Sequence, residues 1–117
     1  MEPTVLVGTR PGMKVEDAEI FRPVLTVSKF ENFDQAVRQA NAPRCGLRGG
    51  LFTRDLRRAF HAIEDWDVGG LMVNDVPIFR LDNIPLGGWK KSGIGREGIT
   101  FAMHEMTDIK HLVINYA

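Results

Sequence analysis

A chain of 117 residues has room for one domain, expected to bury roughly two-thirds of its unfolded surface if it folds as a monomer. A hydrophobic fraction of 44% and a charged fraction of 26% sit in the ordinary globular range. Fifteen basic residues balance fifteen acidic ones, so no global field favours nucleic acid, a membrane surface or an acidic partner.

The single cysteine, Cys45, rules out an internal disulfide and suits a reducing compartment. The N-terminal residues show no basic region followed by a long apolar core. No apolar run approaches the ~18 residues of a membrane span. The expectation is a cytoplasmic, soluble protein.

Val5 to Val7 is a short apolar run closed by Gly8 and the turn signal Arg10-Pro-Gly12. Val24 to Val27, following Pro23, reads as a strand. Asn32 and Gln35 form a capping-box-like pair that opens a helix, with Phe33, Ala36, Val37 and Ala40 at helical spacing. Pro43 stops it. Leu47 to Thr53 is the next strand, where Gly49-Gly50 weakens pairing or lets another backbone approach. Thr53 or Asp55 caps a helix whose apolar face is Leu56, Ala59, Phe60, Ile63 and Trp66.

Gly69-Gly70 ends that helix, and Leu71 to Val73 is strand again. This alternation predicts right-handed βαβ crossovers and a parallel sheet, an α/β fold. Asn74 to Gly93 is a loop too long to be a passive connector. Ile99, Ala102, Met103 and Met106 mark a final helix, and the alternation over Ile109 to Tyr116 predicts a C-terminal strand.

Gly93-Ile-Gly-Arg-Glu-Gly98 matches G-x-G-x-x-G, but that fingerprint needs a preceding strand and an acidic residue about 20 positions on. A loop precedes it and only 19 residues follow Gly98, so the glycines are read as a tight turn into the last helix. Cys45 lies between helix and strand with Arg44 beside it and no histidine nearby in sequence, the setting of an incidental thiol. His61, His104 and His111 lack zinc-protease spacing and are read as surface or edge residues. No catalytic or metal-ligating set emerges from these residues.

Three segments carry a family resemblance. Glu19-Ile-Phe-Arg-Pro23 resembles the aldehyde dehydrogenase signature Glu-x-Phe-Gly-Pro. Asn41 through Asp55 resembles that family's Asn-x-x-x-Tyr-Gly-Leu…Gly-x-Phe-Thr-x-Asp segment. Val73-Asn74 with Pro85 to Gly98 resembles its closing Val-Asn…Pro-Phe-Gly-Gly-x-Lys-x-Ser-Gly-x-Gly-Arg-Glu.

The resemblance implies the C-terminal half of the family's catalytic domain: residues 1–106 as part of that domain, 107–117 as its oligomerisation strand. It implies NAD or NADP as cofactor and oxidation of an aldehyde to an acid through a cysteine thiolate and a glutamate base. Glu19 is implied to accept hydrogen bonds from the nicotinamide ribose and Phe21 to pack on the nicotinamide. These two make a partial or vestigial site, and whether this chain alone binds the cofactor stays open. The loop from Asn74 to Leu86 is implied to border the aldehyde tunnel.

In the family, the nucleophile, the base and the cofactor domain precede Glu-x-Phe-Gly-Pro, and only 18 residues precede Glu19 here. Cys45 stands where the family has an aromatic, Leu86 replaces a phenylalanine, and Arg22 replaces a glycine, which should disturb the local turn. Three functions therefore compete: a family fragment inactive by itself, one subunit of a split enzyme, and a non-enzymatic interaction module. Cut sheet edges and uncovered helix faces predict a homo-oligomer or a chain supplying the N-terminal part.

Overall fold

A computed structural model describes residues 2–116. The β-branched run Thr4–Val7 forms strand β1, and Val24–Val27 forms β2 parallel to it, with Thr4 opposite Val24 and Val7 opposite Val27. Between them the chain turns at Gly8 (φ 74°) and Gly12 (φ 88°) and makes one turn of helix, α1, over Lys14–Asp17.

Helix α2, Phe33–Asn41, starts where predicted, with Asn32 Oδ1 accepting from the Gln35 N–H at 2.9 Å. Gln35 reaches back to the Glu31 N–H at 2.6 Å, one residue earlier than a standard capping box. Asn32→Ala should cost about 1 kcal/mol. The check is a lower thermal midpoint, with Gln35→Ala costing less.

Strands β3 (Cys45–Gly46) and β4 (Arg48–Leu51) follow, then α3 (Leu56–Asp65), β5 (Gly70–Val73), β6 (Trp89–Lys90) and α4 (Ile99–Met106). Of the two candidate caps of α3, Asp55 is the N-cap. Asp55 Oδ1 accepts from the Arg57 N–H at 2.9 Å, and Thr53 Oγ1 accepts from the Asp55 N–H at 3.1 Å. β4 and β5 pair in parallel, Arg48 opposite Gly70, which with α3 completes a βαβ unit. Gly93, Gly95 and Gly98 all have positive φ (123°, 77° and 127°), the turn into α4 that the sequence implied.

Two expectations are corrected. The parallel strands make two separate pairs, with β3–β6 a third, antiparallel one, rather than a single continuous sheet. The C-terminal strand expected from Ile109 does not form: the chain beyond α4 has no regular structure and is exposed through Tyr116. A strand needs a hydrogen-bonded neighbour, and alternation in sequence records a preference that only a partner can realise.

The burial expectation also fails. The chain exposes 10047 Å², against about 6,400 Å² for a compact monomer of its mass. It thus buries roughly half of its unfolded surface rather than two-thirds. Its radius of gyration is 19.4 Å, where about 13 Å is usual. The buried apolar residues are Val37, Ala59, Ala62 and Val68, at the α2–α3 contact and the turn after α3. Leu56, Phe60 and Ile63, read as part of the apolar face of α3, lie exposed on a second stripe of the helix. A helix apolar on both flanks is built to be covered from both sides.

Candidate functional site

Glu19 and Phe21 lie in the loop before β2, and both are exposed, Phe21 at 79%. The loop is tied by short bonds: the Arg22 N–H donates to Ile20 O and the Val24 N–H to Arg22 O, each at 2.7 Å. Arg22 Nη1 also donates to Phe21 O at 2.7 Å. The left-handed non-glycine residues among those described are Asn74 and Lys90, so Arg22 occupies this turn without backbone strain. The disturbance expected from losing a glycine here is not seen.

A dinucleotide needs walls on several sides. Glu19 and Phe21 offer one, an open carboxylate and an open ring, and neither lines the chain's main cleft. The residues present therefore do not by themselves fit NAD or NADP.

That cleft, about 1190 Å³, opens between the carboxyl ends of β1–β2 and of β4. Its apolar floor comes from α2, and Trp66 closes one end. Trp66 explains Gly49, because a Cβ there would sit 2.6 Å from the indole. Gly50 admits the Asp75 carbonyl, 3.0 Å from where a Cβ would stand. At the β1 end, Thr9 Oγ1 and Glu16 Oε1 are buried without a hydrogen-bond partner.

The loop from Asn74 onward is held at several points. Asn74 takes the left-handed conformation asparagine tolerates (φ 60°) and its Oδ1 accepts from the Thr53 N–H at 2.9 Å. Arg48 Nη1 donates to Phe79 O at 2.6 Å, and Ser92 Oγ accepts from the Gly46 N–H at 2.9 Å. Leu86 and Glu97 exchange backbone bonds of 3.0 and 2.6 Å. Leu86 thus serves the loop through its main chain, whatever its side chain.

Sequence reasoning missed the tightest polar cluster. Lys90 Nζ donates to both Asn41 O (2.6 Å) and Asn41 Oδ1, and lies 3.9 Å from the Asp67 carboxylate. Asn41 Nδ2 donates to Asp65 O at 2.9 Å, while its Oδ1 accepts from the Asp67 N–H at 3.1 Å. One amide therefore joins the end of α2, the end of α3 and β6. Its sequence signal lay in the two motif segments that carry Asn41 and Lys90.

Cys45 is free and exposed, opposite Lys90 in the β3–β6 pair. Of the histidines, His104 and His111 are exposed, as read. His61 is half-buried: its Nε2 is 2.9 Å from Asp65 and its Nδ1 3.8 Å from Asp34, with Phe33 edge-on. Among the described residues no helix is long and apolar enough to cross a membrane.

Parallel strand pairs with an intervening helix, a cleft at their carboxyl ends and open apolar faces are features of an α/β fold. The aldehyde dehydrogenase family model matches residues 1–112, and the chain belongs to that family.

It is 41% identical over 113 residues to a lactaldehyde dehydrogenase of Methanococcus aeolicus, covering 97% of this chain and 24% of that one. Identity and coverage are the same for a 3-sulfolactaldehyde dehydrogenase of Priestia aryabhattai. Among solved structures, aldehyde dehydrogenase 21 of Physcomitrella patens, in complex with succinate, superposes with a TM-score of 0.86 at 43% identity. That match covers 91% of this chain and 22% of the other. A glyceraldehyde-3-phosphate dehydrogenase of Methanocaldococcus jannaschii complexed with NADP gives 0.83 at 38%, covering 92% and 23%. The chain thus spans about a quarter of the length of the relatives it matches.

Proposed function

We propose that this chain is the C-terminal part of an NAD(P)-dependent aldehyde dehydrogenase, which oxidises an aldehyde to a carboxylic acid only when joined by the polypeptide carrying the thiolate, the base and the cofactor domain. Residues 1–106 contribute to the catalytic domain, and 107–117 to a segment that pairs as the oligomerisation strand only against a partner. Glu19 and Phe21 supply one wall of the nicotinamide site. The observation that carries this reading is the exposure of Phe21 and Glu19 on a well-tied loop with nothing opposite them. A covalent route needs an activated thiolate beside the cofactor. The one thiol here, Cys45, lies on β3 rather than in that loop.

Two relatives are named for small hydroxyaldehydes, so lactaldehyde is the substrate to try first. The purified chain should show no lactaldehyde-dependent reduction of NAD or NADP and no cofactor binding by titration. Cys45→Ser should change neither. Turnover that disappears in Cys45→Ser would overturn the reading.

A second reading, association with copies of itself or with intact family members, is favoured by one feature. Ile109, Leu112, Val113, Ile114 and Tyr116 are all exposed in the segment after α4.

A further inference from the structure

Helix α3 carries two apolar faces, and the chain covers only one of them. Ala59 and Ala62 are its buried positions, while Leu56, Phe60 and Ile63 are 70%, 60% and 48% exposed. These three recur at i, i+4 and i+7, which aligns them in one stripe along the helix. Arg57 and Glu64, seven residues apart, stand together on one flank of that stripe, and both are exposed.

The charge order of α3 runs against its own dipole. Its first turn contains Arg57 and Arg58 with no acidic residue, and its last turn contains Glu64 and Asp65 with no lysine or arginine. Cations at the amino end of a helix and anions at its carboxyl end are each unfavourable. Arg58 meets Asp55 at 3.7 Å, and Asp65 meets His61 at 2.9 Å. Arg57 and Glu64 enter no ion pair among the described residues. Each stands at the wrong end of its own helix. Beside an antiparallel copy each stands at the right end, Arg57 near the carboxyl end of the second helix and Glu64 near its amino end.

The geometry points to this stripe as a self-association surface, on which α3 packs antiparallel against α3 of a second copy about a two-fold axis at Phe60. A two-fold contact is self-complementary, so every contact occurs twice. Phe60 packs on Phe60 of the copy, Leu56 packs on Ile63, and Arg57 pairs with Glu64. Antiparallel helices set one flank against the same flank of the partner, which brings those two charges together; parallel helices would set opposite flanks together and leave them unmatched. The charge pattern commits the surface to a second copy, because reversing α3 makes it its own complement.

This surface is separate in the chain from the segment after α4, and it does not depend on the function proposed above. A ten-residue helix is about 15 Å long, so the seam buries less than the ~800 Å² per partner of a standard interface. The product is a weak dimer whose population follows concentration.

The test is sedimentation equilibrium of the full chain in low salt, over about 1 µM to 1 mM. A monomer–dimer equilibrium is expected. Phe60→Glu should raise the dissociation constant about tenfold or more, with far-UV circular dichroism unchanged because the ring is exposed in the monomer. Arg57→Glu and Glu64→Arg, each alone, should weaken the dimer by setting like charges together. Combined in one chain they should restore most of it, because the reciprocal pairs re-form with their signs exchanged.

A monomer throughout the series would overturn the proposal. So would a dimer untouched by Phe60→Glu, which would assign association to another surface such as the segment after α4. A combined charge exchange that fails to recover what the single changes lose would overturn the antiparallel pairing, and the proposal with it.

Discussion

Gly69→Ala should empty the folded state. Gly69 ends the turn after α3 and is pinned by its own N–H, which donates to Leu47 O at 3.0 Å and to Gly46 O at 3.2 Å. A Cβ added there would overlap the Gly87 carbonyl and stand 3.0 Å from Leu47 O, all of it main chain. A flexible side chain could swing away, but these carbonyls belong to the strand and loop that close the β3–β6 ladder. Overpacking of this kind typically costs 1–3 kcal/mol, and backbone with no room to retreat places it at about 3 kcal/mol or above. A chain that buries only about half of its unfolded surface has little reserve to absorb that. Far-UV circular dichroism through a urea titration should show the variant unfolded or shifted far below the parent. An unchanged midpoint would mean the Gly87 segment is not held where it stands. Gly12→Ala serves as the contrast: a Cβ meets no atom within 4 Å, so only the strain of φ 88° is felt.

The second large effect lies in the Asn41 cluster. Asn41 engages both sides of its amide, binding Asp65 O and Asp67 through the nitrogen and the Asp67 N–H and Lys90 Nζ through the oxygen. Lys90 adopts φ 56°, a conformation in which a lysine is strained, and its side chain is only 22% exposed. The strain is sustained by the ammonium's bonds to Asn41 O, Asn41 Oδ1 and Pro43 O at the end of α2. Asn41→Ala should cost about 2–3 kcal/mol, because several half-buried partners lose their bonds at once. Lys90→Met should cost about 1–2 kcal/mol, keeping the stem and losing the charge-assisted bonds. Since the two share a bond, the double variant should cost about 1 kcal/mol less than the sum. Additive losses in a double-mutant cycle would show that the residues act independently.

Much of the local structure was legible because its causes are local. Asn32 and Asp55 cap the helices they were expected to cap, and the β-branched runs at Thr4 and Val24 are strands. Gly93 to Gly98 makes the turn into α4 that was read from its glycines. The misses share one physical origin. Apolar periodicity tells which face is meant to be covered, and not whether the cover lies within the same 117 residues. Phe60 and Ile63 thus lie on the apolar face read from the sequence and stand exposed, and the alternation from Leu112 to Tyr116 finds no strand to join. The β3–β6 pair escaped for another reason: it joins Cys45 to Lys90 through two-residue strands too short for any periodic signal. Glu19 and Phe21 were singled out by motif alone, while the bonds that tie their loop required coordinates.

The open surface also sets how the chain responds to heat and denaturant. Denaturant sensitivity and the heat capacity of unfolding both scale with the area newly wetted. Unfolding this chain wets about seven-tenths of what a compact domain of equal mass would expose. Its transition is correspondingly shallow, drawn out over a wide range of urea or temperature. The β1–β2 and β4–β5 ladders form separate sheets and should loosen separately.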